Sequence, residues 1–289
     1  MEIEPLTENP TNILITGITG FFGRNFCDYL IRKDPLIGII GTAHSESKLA
    51  YFKKTFPQIP TQVIDLASEK FEEMIEDMIR KHQITHIIHS AAMKHVDICQ
   101  ENPLMAYLVN AKGSDTLVKV AKRNGVKNLI ALSTDKTNNP CNTYGLVKYV
   151  MQENVLANGY SVYQGANFFW SDGSVLDVWF NQHIRGRSLS VRNPDHVRYF
   201  NTIDHVCDRI YLNLDAKKKV ILPDHVYVIR LGDLLDAFRE YFNHPETASV
   251  PQYSYEKDVE VLRDEVEVKI PLTKDQLVEK IRDFHQHML

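Results

Sequence analysis

Ser133, Thr134, Asp135 and Lys136, followed by Tyr144 and then Lys148, place two hydroxyls, an acid, a phenol and two amines within sixteen residues. Tyr144 and Lys148 are four apart, so on a helix they share a face. A lysine near a phenol favours the phenolate and lowers its pKa, which suits a base working near neutrality. Tyr-x-x-x-Lys also arises by chance as a plain surface pair, and Asp135-Lys136 alone would read as a solvated turn after a strand. What decides between chemistry and coincidence is the set of elements that must position these groups.

The runs 12–16, 37–42, 62–65, 85–92 and 128–133 read as short buried strands. Between them, 21–31, 71–81, a long stretch from Pro103 to Gly125, and 144–157 have helical spacing, the last stopped by Asn158-Gly159. Strands this apolar, alternating with helices, predict an α/β fold: a doubly wound parallel sheet of Rossmann type, covered on both faces. After Asn167 the rhythm changes. Helices are expected from Gly173-Ser174 to about 185, from His205, over 232–242 and from Thr273. Strands are expected at 220–222 and 227–229, with a polar loop at 191–199 and a charged, irregular region at 246–269. The expected organisation is a dinucleotide-binding domain over 12–168 and a smaller mixed α/β C-terminal substrate lobe over 169–289, some of whose strands return to the main sheet. Residues 1–11, acidic and polar, are expected to be a disordered arm, unlike a signal peptide.

Composition narrows the function. The chain has 289 residues, 44% hydrophobic, and a net charge of −4 from 33 basic against 37 acidic residues. That leaves no basic face for nucleic acid and no polybasic membrane patch. The apolar run 84–92 is interrupted by His86, His89 and Ser90, and no run could span a bilayer. Cys27, Cys99, Cys141 and Cys207 form no CxxC pair and read as reduced thiols in a cytoplasmic protein.

Gly17, Thr19, Gly20, Phe21, Phe22 and Gly23 lie between the first strand and the first helix. Glycines there allow a tight turn and let backbone N–H groups reach a pyrophosphate at the helix N-terminus. After the second strand come His44, Ser45 and Lys48, with no carboxylate at the strand end to take a free ribose 2′-hydroxyl. This favours NADP over NAD. Asp65 and Leu66, after the third strand, are placed to touch the adenine.

With the loop, the strand order and Asn110 in the helix before the fifth strand, residues from about 12 to 270 resemble the extended short-chain dehydrogenase/reductases. Within that family the string LSTDKTNNPCNTYGLVK at 132–148, and SAAMKHV at 90–96, resemble UDP-N-acetylglucosamine 4,6-dehydratases. Membrane-bound, C5-retaining members of that group carry methionine in place of the tyrosine. This chain keeps Tyr144 and so resembles the soluble, C5-inverting type. The resemblance implies cofactor contacts from Ala91, Ala92, Lys94, Tyr144 and Lys148.

The residue types suit that reaction. Removing water across C5 and C6 of a sugar needs C4 oxidised first, which makes the C5 proton acidic. Tyr144 would act as base at O4, Thr134 would orient that oxygen, Lys136 would take the C5 proton and Asp135 would protonate the leaving hydroxyl. Reprotonation from the opposite face inverts C5. A 4-epimerase or reductase on the same scaffold is the alternative, although neither needs a C5 base. A non-catalytic dinucleotide sensor is a third reading, against which the retained Tyr144 and Lys148 argue.

For the UDP-sugar, Lys94, Asn167, Gly173, Ser174, Val175, Arg198 and Glu260 resemble family substrate contacts. Two positions depart from the family: Gln164 stands where Arg opens Arg-Tyr-Gly-Asn, and Tyr253-Ser254 replaces the Arg-Pro before EKDVEVL at 256–262. The histidines show no metal-ligand spacing, and no metal is expected. By analogy with relatives, a homo-oligomer is expected.

Overall fold

The computed structural model describes residues 10–191, 193–245, 248–249, 263, 265–266 and 268–288. The chain runs through β1 (Asn12–Thr16), α1 (Phe21–Lys33), β2 (Gly38–Ala43), α2 (Glu46–Thr55), β3 (Thr61–Val63), α3 (Phe71–Lys81) and β4 (His86–His89). It continues through α4 (Val96–Glu101), α5 (Pro103–Tyr107), a π-helical turn (Leu108–Gly113), α6 (Ser114–Arg123), β5 (Asn128–Thr134), a 3-10 turn (Asp135–Thr137), α7 (Thr143–Ala157) and β6 (Ser161–Gly165). Then come β7 (Asn167–Phe168), α8 (Val175–His183), β8 (Leu189–Ser190), β9 (Val197–Asn201), α9 (Ile203–Tyr211) and β10 (Val220–Ile221). The last elements are β11 (His225–Arg230), α10 (Leu231–Phe242), β12 (Ala248–Ser249), β13 (Val268–Pro271) and α11 (Lys274–Met288).

The large sheet has seven strands in the order β10-β6-β5-β4-β1-β2-β3, and every pairing in it is parallel. Its apolar runs make sense because successive side chains enter different cores. Leu14, Ile40, Ile87 and Leu129 pack with Ile75, Leu117 and Val155 on one face. Ile13, Ile15, Ile39, Ile88 and Ile130 pack with Phe26, Leu30 and Ile210 on the other. Strand order reverses between β1 and β4, and in such sheets ligands bind outside the C-terminal ends of the strands at that point. The two loops leaving β1 and β4 line that crevice.

The second sheet, β13-β11-β9-β7, is mixed: β9 and β11 are antiparallel, while β13 and β7 pair parallel to them. Its core is aromatic, built on Phe169, Trp170, Trp179, Phe200 and Phe238. β10, far along the chain, pairs with β6 and so closes the edge of the large sheet.

Three expectations change. The loop expected over 191–199 ends in a strand, β9, at the centre of the second sheet. His196 and Arg198 hide it: both are buried polar residues, so the apolar alternation is broken although Phe200 is 2% exposed. The strands at 62–65 and 85–92 shorten to β3 and β4, and residues 90–95 run on as an irregular segment. α2 was not legible in its polar composition; Ser45 caps it, accepting from the Lys48 N–H at 3.4 Å. Glu260 and its flanking motif lie outside the described residues. No helix among the described residues is long and apolar enough to cross a membrane.

Candidate active site

The crevice begins at Gly17. Its φ is +70°, and a Cβ there would meet the Ala91 backbone at 2.9 Å, so the loops after β1 and β4 approach as only glycine allows. α1 then starts at Gly20 with no side-chain cap and no acidic residue in its first turn. Its leading N–H groups are left without a side-chain partner, the arrangement that suits a dinucleotide pyrophosphate. The backbone carries this role. Phe22 points into the core at 5% exposure, and the Phe21 ring leans on Phe168 at 5.4 Å between centroids. Thr19, Ala91 and Ala92 are partly exposed along the crevice. Leu66 is buried at 8% beside Gly113. Asp65 accepts from the Ala67 N–H at 2.9 Å and shapes its own turn. His44 and Lys48 are exposed beyond β2.

His86 and His89 are structural. His89 bonds Thr16 at 2.7 Å and Ser114 at 2.8 Å, and burial pushes its pKa down to about 3, so it stays neutral. His86 bonds Thr85 at 2.9 Å and Asp215 at 3.1 Å.

β5 carries the reactive stretch to the same crevice. The Thr134 hydroxyl donates to Asp135 Oδ1 at 2.8 Å, and Lys136 Nζ lies 3.5 Å from both Asp135 Oδ1 and Asn167 Oδ1. The turn is braced from beneath. The Gln164 amide donates to Thr137 Oγ1 at 2.5 Å and Asn138 Oδ1 at 2.9 Å, while Ser133 Oγ donates to Gln152 Oε1 at 2.8 Å. Asn142 caps α7 by accepting from the Gly145 N–H at 2.8 Å, and Gln100 accepts from the Thr143 N–H at 3.1 Å. This seats Tyr144 against the small cluster of Cys99, Ala106, Ala111 and Val147.

Electrostatics redistribute the roles of the two lysines. Burial pushes the Tyr144 pKa up to about 12; Lys136 opposes that rise, Asp135 and Cys99 add to it, and a hydrogen bond with Thr134 opposes it. Lys148 is placed differently. Its amine turns to the Leu132 carbonyl, and burial lowers its pKa to about 8. Lys136 is thus a cation that favours the Tyr144 phenolate.

The lobe side is held differently. Lys94 donates to the Asp172 carbonyl, and the Arg24 guanidinium meets the Asp172 carboxylate at 3.5 Å. Burial lowers the Lys94 pKa, Asp172 raises it and nearby Lys48 lowers it, so a cluster of cations sits at this end of the crevice. Gly173 has φ +74°, and a Cβ there would strike the His95 ring at 2.2 Å; His95 was not singled out in the sequence. Ser174 caps α8, accepting from the Asp177 N–H at 3.3 Å, and Val175 packs into the aromatic core instead of facing the crevice. Asn167 joins the reactive turn through Lys136 and donates to the Tyr199 carbonyl at 2.9 Å. Arg198 is buried at 8% exposure in β9, where it donates to the Val197 carbonyl at 3.3 Å and reaches His196 at 3.5 Å. Gln164, which stands where the family has Arg, lies under the reactive turn.

Elsewhere the fold gathers His205, Asp224 and His225, whose ligand atoms all lie within 4.8 Å of one another. Their positions follow no recognisable spacing, so the sequence did not show this.

Comparison with known proteins agrees with this geometry. A family model described as polysaccharide biosynthesis protein matches residues 13–258. A UDP-N-acetylglucosamine 4,6-dehydratase (inverting) of Campylobacter jejuni is 33% identical over 248 residues, covering 82% of this chain and 73% of its own. Among solved structures, Pen of Bacillus thuringiensis superposes with a TM-score of 0.84 at 19% identity, over 95% of this chain and 99% of its own. The dTDP-glucose 4,6-dehydratase of Bacillus anthracis, in complex with NAD, gives 0.77 at 16% identity, over 96% and 97%.

Proposed function

Because this chain belongs to the polysaccharide biosynthesis protein family, we propose that it is a nucleotide-sugar dehydratase acting on UDP-N-acetylglucosamine. It removes water across C5 and C6 through a transient 4-keto sugar and inverts C5. The observation that carries this reading is Lys136: a second amine beside Tyr144, shared between Asp135 and Asn167 at 3.5 Å. Oxidation and reduction at C4 alone need no such base, which is why a 4-epimerase or reductase is the poorer fit.

In this reading Tyr144 takes the proton from O4, aided by the Lys136 cation, and Thr134 orients that oxygen. Lys136 then passes its own proton to Asp135, 3.5 Å away, and as the neutral amine takes the C5 proton once C4 is a ketone, while Asp135 gives the proton it received to the departing C6 hydroxyl. A bound nicotinamide dinucleotide supplies hydride removal at C4 and hydride return at C6. A new proton reaches C5 from the opposite face. Lys148 orients the nicotinamide ribose.

Residues 12–168 hold the dinucleotide and 169–289 the substrate. The cofactor is NADP in preference to NAD, supported by His44, Ser45 and Lys48 after β2 and by the charge that Lys48 shares with Lys94. Arg198, Lys94 and the Gly173–Ser174 turn receive the diphosphate. The chain works in the cytoplasm as a homo-oligomer. Support for the latter is a run of exposed apolar side chains on α4, α5 and α7: Ile98, Leu104, Leu146 and Val150.

The test is product mass after incubation with UDP-N-acetylglucosamine, for the native chain and Lys136→Ala. The native chain should release product lighter by one water. The variant should lose water about 10²–10⁴-fold more slowly while still binding NADP. Turnover unchanged in the variant would remove the role given to Lys136.

A further inference from the structure

We propose that His205, Asp224 and His225 form a binding site for a divalent transition metal, of the zinc or cobalt class, between the two sheets. His205 stands in the first turn of α9, whose residues Val206 and Ile210 join the core under the large sheet. Asp224 and His225 stand where the chain leaves β10, in the large sheet, and enters β11, in the second. A metal at this point ties the two sheets together through side chains from both sides of the crossing.

Geometry carries the assignment. Asp224 Oδ1 lies 3.0 Å from His205 Nε2 and 2.8 Å from His225 Nδ1, and the two rings are 4.2 Å apart between centroids. A tetrahedral ion with bonds of about 2.0–2.2 Å spaces its ligand atoms by about 3.3–3.5 Å, so a small outward shift admits it. His205 Nε2 is buried, yet among the described residues it makes no hydrogen bond of acceptable angle, even with the carboxylate 3.0 Å away. The His205 side chain is 13% exposed, whereas Asp224 is 59% exposed, so the site opens to solvent on one side and water can complete the coordination.

Two imidazoles and one carboxylate, with no thiolate, select a borderline ion over a soft one or a hard alkaline-earth ion. The charges facing the cluster are Arg209 and Asp208, one turn further along α9. The Arg209 guanidinium is turned to the Leu222 carbonyl, at 3.0 and 3.2 Å.

The experiment uses the full chain, free of any histidine tag, stripped with chelator and titrated with Co²⁺. One equivalent should produce visible d–d bands of a four- or five-coordinate ion, Zn²⁺ should displace it, and the thermal midpoint should rise with free Zn²⁺. Asp224→Asn and His205→Gln should each weaken binding by at least about ten-fold. Asp224 is exposed, so its variant should retain the native fold by circular dichroism even if the histidine variant does not. Absence of bands at one equivalent, or bands that survive Asp224→Asn undiminished, overturns the site. The readout needs no turnover, so its failure is separate from failure of the dehydratase reading.

Discussion

On the sheet side of the crevice, the 134–138 turn rests on Gln164, 3% exposed, and Gln152, 1% exposed. On the lobe side, Asp172 meets Arg24 at 3.5 Å with both side chains 40% exposed. Breaking a buried hydrogen bond so that its partners stay dry costs about 1–3 kcal/mol, whereas an exposed ion pair is worth about 0–1 kcal/mol. The first arrangement holds reacting groups in one geometry. The second can exchange Asp172 for an incoming phosphate at little cost. In the proposed reading, chemistry is built rigidly into the sheet, and recognition is built from contacts that trade partners.

The largest effect should come from the rigid side. Tyr144→Phe should lower turnover by about 10²–10⁴-fold with NADP binding kept, measured by single-turnover kinetics and by titration of the cofactor. A smaller variant effect than that at Asp172 would reverse the comparison. Next, Gln164→Leu should lower stability by about 1–3 kcal/mol in urea unfolding and reduce kcat more than it raises KM. An effect confined to KM would place Gln164 in substrate binding instead of under the reactive turn.

Lys148 provides a pH test of the same rigid side. Its folded pKa of about 8 lies below its ordinary 10.5, so between those values the unfolded chain binds more protons. Stability of the native chain should therefore rise relative to Lys148→Met as pH goes from 8 to 10.5, by at most about 1.4 kcal/mol per pH unit. Parallel curves for the two proteins would show that the amine is not buried as a cation. The smallest effect is on the lobe side: Asp172→Ala should change stability by less than about 1 kcal/mol. Its visible consequence should be a lower KM for the nucleotide sugar, because Arg24 is released from the Asp172 carboxylate while Lys94 keeps its backbone carbonyl partner.

Legibility in the sequence follows the same division. β1, β2, β4 and β5 are buried on both faces, so their apolar runs stand out, and the glycines between β1 and α1 sit where a strand meets a helix. Thr134, Asp135, Lys136 and Tyr144 were legible as a group for the same reason: one strand end and one helix start bring them together. The lobe was harder. β9 has buried polar residues where alternation would show apolar ones. His205, Asp224 and His225 meet only because β10 returns to the large sheet before the chain enters the second. Four-residue spacing places Lys148 on the same helical face as Tyr144 but says nothing of where its flexible chain ends. In the fold that amine finds the Leu132 carbonyl. Gln164 was visible as a departure from the family, yet its buried bonds to Thr137 and Asn138 exist only across the β5–β6 pairing.

The most direct test of the central claim is incubation of the native chain with UDP-N-acetylglucosamine and NADP in heavy water, followed by NMR. The account predicts loss of one water, deuterium at C5 and an inverted C5 centre. Deuterium-free C5, or a product that keeps its C6 hydroxyl, would contradict the assignment of Lys136 as the C5 base and, with it, the dehydratase reading.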